Sequence, residues 1–276
     1  MEGGAMRGLF TAGVIDVMME NGIDFDGTVG VSSGAAFGCN YKSRQPGRVI
    51  RYNIRFAKEP KFCSFWSWLK TGDLYGAEFC YHTMPHELDY WDVETFAADP
   101  QEFWIVCTDV KTGKPVYYQC KTGDEKELDL IRASASMPFF SKPVEIGNRQ
   151  LLDGGISDSI PLRFFQYRGY DKNVVILTQP EGYFKRPSKA SPLLPIALHK
   201  YPAIARRLRQ RYKMYNRQLA YVLEEEQKGT AFVIRPPHTL QIGKIEHDPN
   251  VMRSVYEIGR NTAMEQLEEL KKFLGE

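Results

Sequence analysis

The sequence lacks the features that mark secreted and membrane-spanning proteins. It has no recognisable signal peptide and no apolar run of transmembrane length. Its cysteines form no CxxC pair, and they are odd in number: Cys39, Cys63, Cys80, Cys107 and Cys120. This pattern is typical of reduced, mostly buried thiols, so we expect a cytoplasmic protein.

A surplus of charge of one sign is also missing. The 36 Lys and Arg residues nearly balance the 34 Asp and Glu residues, which leaves a net charge of +2. Nucleic-acid binding needs a basic surplus that this composition does not supply, so we expect no nucleic-acid partner. At 276 residues and 43% hydrophobic content, the chain is long enough to bury a substantial core.

Motifs for metals and phosphate cofactors are absent as well. The sequence has no Gly-Lys-Ser or Gly-Lys-Thr triplet, which argues against a P-loop. His82 and His86 are four residues apart, but Pro85 between them disfavours the helix that would direct both at one metal. We therefore expect neither a metal nor a cofactor.

Ser32 is the most informative residue that is present. It stands in a GxSxG pattern between Gly30 and Gly34, after a short apolar run and before a helix-compatible stretch. This layout is typical of a nucleophile elbow, in which a strained strand-to-helix turn exposes the serine. The pattern taken alone also suits a plain tight turn.

A glycine loop lies at the start of the chain. Gly3, Gly4 and Ala5 precede a stretch with apolar residues at helical spacing, and Arg7 and Gly8 follow them closely. Backbone amides that point outward from such a loop can stabilise an oxyanion. A turn that is merely tightened by glycine is the alternative.

Asp153 ends an apolar strand and is followed by Gly154 and Gly155. Functional side chains collect at strand ends in α/β proteins, although Asp-Gly-Gly is also an ordinary turn sequence.

Together these three segments resemble the patatin-like phospholipase family. The resemblance includes residues 108–117 and 132–138 and extends to about residue 180, while the rest resembles an extension found in one bacterial branch. It implies a three-layer α/β hydrolase that cleaves lipid esters in the manner of a phospholipase A or lysophospholipase. The implied dyad is Ser32 as nucleophile and Asp153 as base, and the implied oxyanion hole consists of the amides of Gly3, Gly4 and Ala5. The supporting motif residues are Arg7, Gly8, Gly30, Gly34, Gly154 and Gly155.

Two departures from the family pattern stand out. Ala5 replaces a glycine that many members have, which backbone amides tolerate because alanine still donates one. Members also carry an apolar strand before the glycine loop, whereas only Met1 and Glu2 precede Gly3 here. We expect a misassigned start site and an oxyanion loop that lacks one anchor.

Two other functions remain open at this point. One is a catalytically weak lipid- or membrane-binding protein that keeps the fold. The other is a soluble esterase with a histidine triad, because His199 and His238 follow Asp153 in the order that such a triad requires. Both histidines lie in proline-rich contexts, which favours a dyad whose aspartate gains basicity through burial.

The predicted fold is α/β, with a largely parallel central sheet flanked by helices. Strands are expected at residues 103–106, 116–119, 150–152, 174–177 and 231–234. We predict a catalytic domain over residues 1–180, followed by a mainly helical extension over 181–276 that packs on it.

The segment from 183 to 230 is strongly basic. Eleven Lys and Arg residues and three Glu residues give it a net charge of +8. A predicted helix from Ile204 to Leu223 carries its basic residues opposite an apolar face, which suits peripheral contact with an anionic membrane or, alternatively, packing on the core. An aromatic cluster near residues 62–69 is expected in the core, in an acyl-chain pocket or in a flap, and residues 251–274 are expected to form one structural helix.

Overall fold

The computed structural model describes residues 1–275. Its strands are β1 (Gly27–Val31), β2 (Glu102–Asp109), β3 (Pro115–Cys120), β4 (Val144–Ile146), β5 (Arg149–Asp153), β6 (Asn173–Ile176) and β7 (Ala231–Ile234). All five strands predicted from apolar runs are confirmed. The three-residue β4 was missed because it is too short to show an alternating pattern.

Helices account for most of the remaining regular structure. They are α1 (Gly8–Glu20), α2 (Ser33–Lys42), α3 (Arg48–Arg55), α4 (Phe65–Thr71), α5 (Val93–Ala98), α6 (Glu125–Ser134), α7 (Leu162–Tyr167), α8 (Leu194–Ala197), α9 (Pro202–Gln227), α10 (Pro249–Glu265) and α11 (Leu267–Leu274). A π-helical segment spans Phe79–Leu88, and single 3-10 turns span Ala5–Arg7, Gly154–Ile156 and Ser191–Leu193.

The central sheet is organised around β2. Strand β1 runs parallel to the first part of β2, and β5 runs antiparallel to its last part, with residues 27–31 opposite 102–106 and residues 151–153 opposite 107–109. Strand β3 pairs along residues 103–108 of β2, so it occupies the other edge. Strands β1 and β5 therefore follow one another along the same edge of β2, with their carboxyl ends facing each other.

The α/β class and the helices that flank the sheet are confirmed, but the sheet is mixed rather than largely parallel. Among the described strands, β1–β2 and β6–β7 pair in parallel, whereas β2–β3, β2–β5 and β4–β5 are antiparallel. Short connections explain the difference, because residues 110–114 and 147–148 are too few for the crossover that parallel strands require.

The first two residues lie between β1 and the separate β6–β7 pair. The amino group of Met1 donates to the carbonyl of Val29 at 2.8 Å, and the N–H of Val31 donates to the carbonyl of Met1 at 3.3 Å. On the other side, the N–H of Glu2 donates to the carbonyl of Ile176 at 3.0 Å. These bonds anchor the start of the glycine loop. The expectation that this loop lacks one anchor is therefore wrong.

The C-terminal segment packs closely on the rest of the chain. Strand β7 pairs with β6, and α10 lies against the buried helix α1. Glycines make this helix contact close: a Cβ at Gly13 would lie 2.8 Å from the backbone N of Arg260, and one at Gly259 would lie 2.9 Å from the backbone C of Phe10. The single helix expected over 251–274 is interrupted at Gln266, which separates α10 from α11.

Two surface helices differ in how well the sequence foretold them. Helix α9 buries Ile204, Tyr215 and Val222, and its basic face is exposed, as its periodicity predicts. For the aromatic cluster of residues 62–69, a core, an acyl-chain pocket and a flap were open. Phe65 and Leu69 of α4 are 72% and 81% exposed, so these two residues do not lie in the core. Within the described residues, no helix combines the length and apolarity needed to cross a bilayer.

Candidate active site

Ser32 lies at the turn between β1 and α2. Its φ of 55° and ψ of −123° place it in a strained backbone conformation that few non-glycine residues adopt. Both flanking glycines are needed for this turn, because a Cβ at Gly30 would lie 2.5 Å from the Cα of Ala35 and one at Gly34 would lie 2.6 Å from the carbonyl oxygen of Met1. The predicted strand–turn–helix geometry is therefore present.

The sheet brings Ser32 and Asp153 together. Val31, the last residue of β1, pairs with Val106, and Asp153, the last residue of β5, pairs with Cys107. Because Val106 and Cys107 are consecutive in β2, the two strand ends meet, and the side chain of Ser32 lies close enough to the carboxyl of Asp153 to influence its pKa.

The surroundings of Asp153 make its carboxyl unusually basic. Burial raises its pKa above the ordinary aspartate value, and the side chain is only 2% exposed. The charge of Arg211 and hydrogen bonds from Ser32 and Gly155 oppose that shift, and the Gly155 N–H donates to Oδ1 at 2.7 Å. Gly154 allows this close turn, since a Cβ there would lie 2.7 Å from the backbone C of Val106.

The glycine loop lies directly against the serine. A Cβ at Gly3 would lie 2.8 Å from the Cβ of Ser32, so a larger residue would displace either the loop or the serine. The Gly4 N–H donates to Ser33 Oγ at 2.9 Å. Within the described part of the chain, the N–H groups of Gly3 and Ala5 have no acceptor.

Residues that follow this loop complete its geometry. Ala5 has a φ of 50°, in the left-handed region that favours glycine. Gly8 leaves room for Ser33, because a Cβ there would lie 2.6 Å from Ser33 Oγ. Arg7 reaches the cavity beside the serine, and its Nε is buried without a hydrogen-bond partner.

Ser134 supports the elbow in a way that the sequence did not reveal. Its Oγ accepts a 2.9 Å hydrogen bond from the N–H of Ser32 and donates to the carbonyl of Val106 at 2.7 Å. It therefore ties the elbow to β2 at the register position where the two strand ends meet. Ser134 lies in the 132–138 segment that carried the family resemblance, but the pattern alone gave no sign of this contact.

A cavity of about 510 Å³ opens at Ser32. Its lining includes an apolar group of side chains: Phe37, Tyr52, Phe62, Leu74, Met84, Trp91, Leu128 and Ile131. It also includes Glu2 and a cationic group whose charges act on one another: Arg7, Lys185, Arg211 and Lys244. Ser32 and Asp153 also line it, so a substrate with an apolar chain and a polar group fits this shape.

Histidines lie elsewhere. Among the described residues, none of those that line the cavity is a histidine, so neither His199 nor His238 joins Ser32 and Asp153. His82 and His86 contact the same carboxylate, that of Glu125, at 2.6 and 3.0 Å. Both can reach it because the π-helical segment continues through Pro85. The helix that Pro85 was expected to disfavour is therefore present. Among the described residues, no group of acidic, His or Cys side chains could hold a metal ion.

Comparisons with known proteins relate this chain to a family and to several individual proteins. Residues 1–165 match the family described as patatin-like phospholipase, and residues 201–275 match a domain of unknown function, DUF6363. An uncharacterised protein of Escherichia coli K12, YjjU, is 32% identical over 204 residues, covering 67% of this chain and 53% of YjjU. The lysophospholipase NTE1 of Saccharomyces cerevisiae is 28% identical over 184 residues, covering 60% of this chain and 10% of NTE1.

The chain thus spans about half the length of YjjU and a tenth of NTE1. Among solved structures, VipD of Legionella pneumophila aligns with a TM-score of 0.48 at 11% identity, over 97% of this chain and 66% of VipD. The family match covers more than half of the residues, including the glycine loop, Ser32 and Asp153. The chain belongs to the patatin-like phospholipase family.

Proposed function

We propose that this protein is a serine acyl hydrolase that cleaves carboxylic ester bonds of lipids, of the phospholipase A or lysophospholipase type. One observation carries the proposal: the strained Ser32 lies beside the buried Asp153 in a cavity that is lined by both apolar and cationic side chains. Family membership and the likeness to a yeast lysophospholipase support the choice of lipid esters.

In the proposed reaction Asp153 acts as the general base. It accepts the proton of Ser32 as the serine oxygen attacks the ester carbonyl, and it returns that proton to the departing alcohol. An ordinary aspartate is a weak base for this step, and the rise in the pKa of Asp153 through burial reduces the mismatch. Water then attacks the acyl-enzyme, with Asp153 as its base, and releases a fatty acid.

The developing oxyanion needs donors beside Ser32. The N–H groups of Gly3 and Ala5 are free to donate, whereas that of Gly4 is engaged by Ser33 Oγ. Removing one such donor typically costs about 2.7–4 kcal/mol of transition-state stabilisation. We propose that Gly3 and Ala5 supply the hole directly, and that Gly4 joins them if Ser33 Oγ rotates away.

The first test compares turnover of a short-chain p-nitrophenyl ester by the wild type and by Ser32→Ala. Loss of turnover in the variant, together with covalent labelling of Ser32 by a fluorophosphonate, supports the hydrolase. The competing proposal, a catalytically weak lipid-binding protein, predicts binding of lipid with no difference in turnover between the two proteins. Labelling at another residue would contradict the assignment of Ser32.

We also propose that the protein works in the cytoplasm and touches membranes peripherally through the basic face of α9. Arg206, Arg209, Lys213 and Arg217 are exposed on that face, and cations of this kind bind anionic headgroups. The five cysteines, all of them free, suit a reducing compartment.

Helix α4 offers an apolar complement to this basic face. Phe65, Trp66, Trp68 and Leu69 are exposed, and the residues that follow α4, Asp73 and Leu74, line the cavity. Co-sedimentation with anionic vesicles separates the two surfaces: charge removal on α9 should weaken binding at low salt, and Trp66→Ser with Leu69→Ser should weaken it at all salt concentrations. Unchanged binding by both variants would refute the membrane contact.

A further inference from the structure

The cationic group in the cavity lining consists of side chains that form no salt bridge. Six Lys and Arg residues line the cavity, and two of them are paired: Arg48 lies 3.3 Å from Asp89, and Arg132 lies 3.2 Å from Asp129. The other four are Arg7, Lys185, Arg211 and Lys244, and none of these makes a salt bridge within residues 1–275. We name them the cation quartet.

Most of the cation quartet comes from outside the segment that matches the family. The match ends at residue 165, whereas Lys185 lies in the connection between β6 and α8, Arg211 lies on α9, and Lys244 lies in the connection before α10. Arg7, by contrast, belongs to the glycine-loop motif. The C-terminal segment therefore adds positive charge to a cavity whose reacting groups come from the first 165 residues.

Contacts with the cavity wall hold these cations in place. Arg211 Nε donates to the carbonyl of Gly155 at 2.5 Å, two residues after Asp153. The backbone of Lys185 exchanges two hydrogen bonds of 2.9 Å with the Asn216 side chain, and its Nζ lies 4.6 Å from the centre of the Tyr215 ring. Fixed positions of this kind are what a binding site needs and what solvated surface cations lack.

Lys244 and Arg7 are placed in a comparable way. Tyr75 Oη donates to the carbonyl of Lys244 at 3.3 Å, and the Nζ of Lys244 lies 5.5 Å from the centre of the Phe140 ring. The Nε of Arg7 is buried without a partner, although buried guanidinium donors are normally satisfied. An anion in the cavity would satisfy it.

The electrostatics of the cation quartet point in the same direction. Burial, together with the charges of Arg211, Arg7 and Lys244, lowers the pKa of Lys185 to about 8 against the opposing effect of Glu2. Burial and the charges of Arg211 and Arg7 likewise lower the pKa of Lys244. Two acids, Glu2 and Asp153, lie near these cations, and burial raises the pKa of both, which opposes the formation of their negative charges.

We propose that the cation quartet is a subsite for the phosphate of the substrate's headgroup, and that the enzyme therefore prefers anionic phospholipids to zwitterionic or neutral lipid esters. A phosphate held by Arg211 and Lys185 would lie beside Gly155. An ester only a few bonds away from that phosphate would then reach Ser32, and its acyl chain would contact the apolar group of lining residues. Charge-assisted hydrogen bonds to phosphate are the strongest that such side chains form. This inference rests on the proposed hydrolase function.

The test uses substrates that share one acyl chain and differ in the headgroup: a monoacyl glycerophosphate, its choline ester and the neutral monoacylglycerol, all below their critical micelle concentrations. The variant is Lys185→Gln with Lys244→Gln. Its matched control is Lys111→Gln with Lys126→Gln, which removes the same charge from two exposed lysines that do not line the cavity.

We expect the cavity variant to lose at least about tenfold more kcat/KM on the glycerophosphate than on the neutral ester, the order of one hydrogen bond to a charged group. The control should retain the wild-type preference for the anion. Equal losses on all three substrates, or none, would overturn the proposal while leaving the hydrolase assignment intact, provided that Ser32→Ala abolishes turnover.

Equilibrium binding to Ser32→Ala keeps the two proposals separable. If the wild type hydrolyses nothing, the hydrolase assignment fails, and calorimetric titration with the glycerophosphate and the monoacylglycerol still decides the subsite. Inorganic phosphate distinguishes the source of the anion: weak competition supports a headgroup site. If phosphate alone binds as tightly as the glycerophosphate, the site takes the free ion and the headgroup proposal is wrong.

Discussion

Replacing Asp153 by asparagine should separate activity from stability. The carbonyl oxygen of the asparagine can keep the hydrogen bond from the Gly155 N–H, which places the amide NH2 where the other carboxyl oxygen was. An amide NH2 accepts no proton, so the base is lost while the shape is retained. A general base typically contributes about 10²–10⁴ in rate, and we expect a loss of turnover of that order.

The same change should leave the protein at least as stable as the wild type near neutral pH. Burial raises the pKa of Asp153 in the folded state, so the carboxyl binds its proton more tightly folded than unfolded. Its contribution to stability is therefore lost as the pH rises from the ordinary value towards the raised one. Asparagine resembles the protonated form, so it removes the free-energy cost of burying a charged carboxylate. In the wild type the charge of Arg211 offsets that cost only in part.

Asp158 provides the matched control. It is also buried, with its pKa raised by burial, and it accepts hydrogen bonds from Tyr117 and Gln218 rather than from Ser32. Turnover of a p-nitrophenyl ester and thermal unfolding should be measured for Asp153→Asn, Asp158→Asn and Ser32→Ala. Near-normal turnover by Asp153→Asn, or a clear fall in its melting temperature, would refute the reasoning.

Three further outcomes follow from the geometry. The kcat/KM of the wild type should fall as the pH drops through the raised pKa of Asp153, at a higher pH than an ordinary aspartate would give, and a pH profile checks this. Ala5→Gly should raise the melting temperature slightly and keep turnover, because a φ of 50° costs alanine about 1–2 kcal/mol that glycine does not incur. Thermal unfolding measures the change. Gly259→Ala should lower the free energy of unfolding by about 1–3 kcal/mol, since its Cβ overlaps Phe10 and forces α10 away from α1. Gly229→Ala is the control: no atom lies near its Cβ and its φ is positive, so its effect should report backbone strain alone.

The sequence carried enough information for the chemistry of the strand ends. Ser32 between two glycines and Asp153 before two glycines are local patterns. A Cβ at Gly30, Gly34 or Gly154 would lie less than 3 Å from backbone atoms, so these positions require glycine. The apolar run at residues 174–177 likewise predicted β6 correctly. Local patterns of this kind survive because the backbone itself requires them.

Contacts between distant residues could not be predicted in this way. The antiparallel path of β4 and β5 depends on a two-residue connection, and Ser134 supports Ser32 across 102 residues. The exposure of α4 depends on what packs against it, since an aromatic cluster suits a core and a surface equally well by composition. Lys185, Arg211 and Lys244 enter the cavity only because the C-terminal segment folds back over the glycine loop.

The meeting of β1 and β5 on one edge of β2 has a consequence for insertions and deletions. The separation of Ser32 and Asp153 is set by consecutive residues of β2, so slipping β5 by two residues would move the carboxyl by about 7 Å along the strand. The carbonyl of Ser136 accepts a hydrogen bond from the N–H of Asp153. An insertion or deletion inside β2, or between Ser136 and β5, would therefore move Asp153 away from Ser32. In the connection between β2 and β3, the N–H of Val110 still donates to the carbonyl of Gln150 in β5, so only residues 111–114 can vary in length without altering that distance.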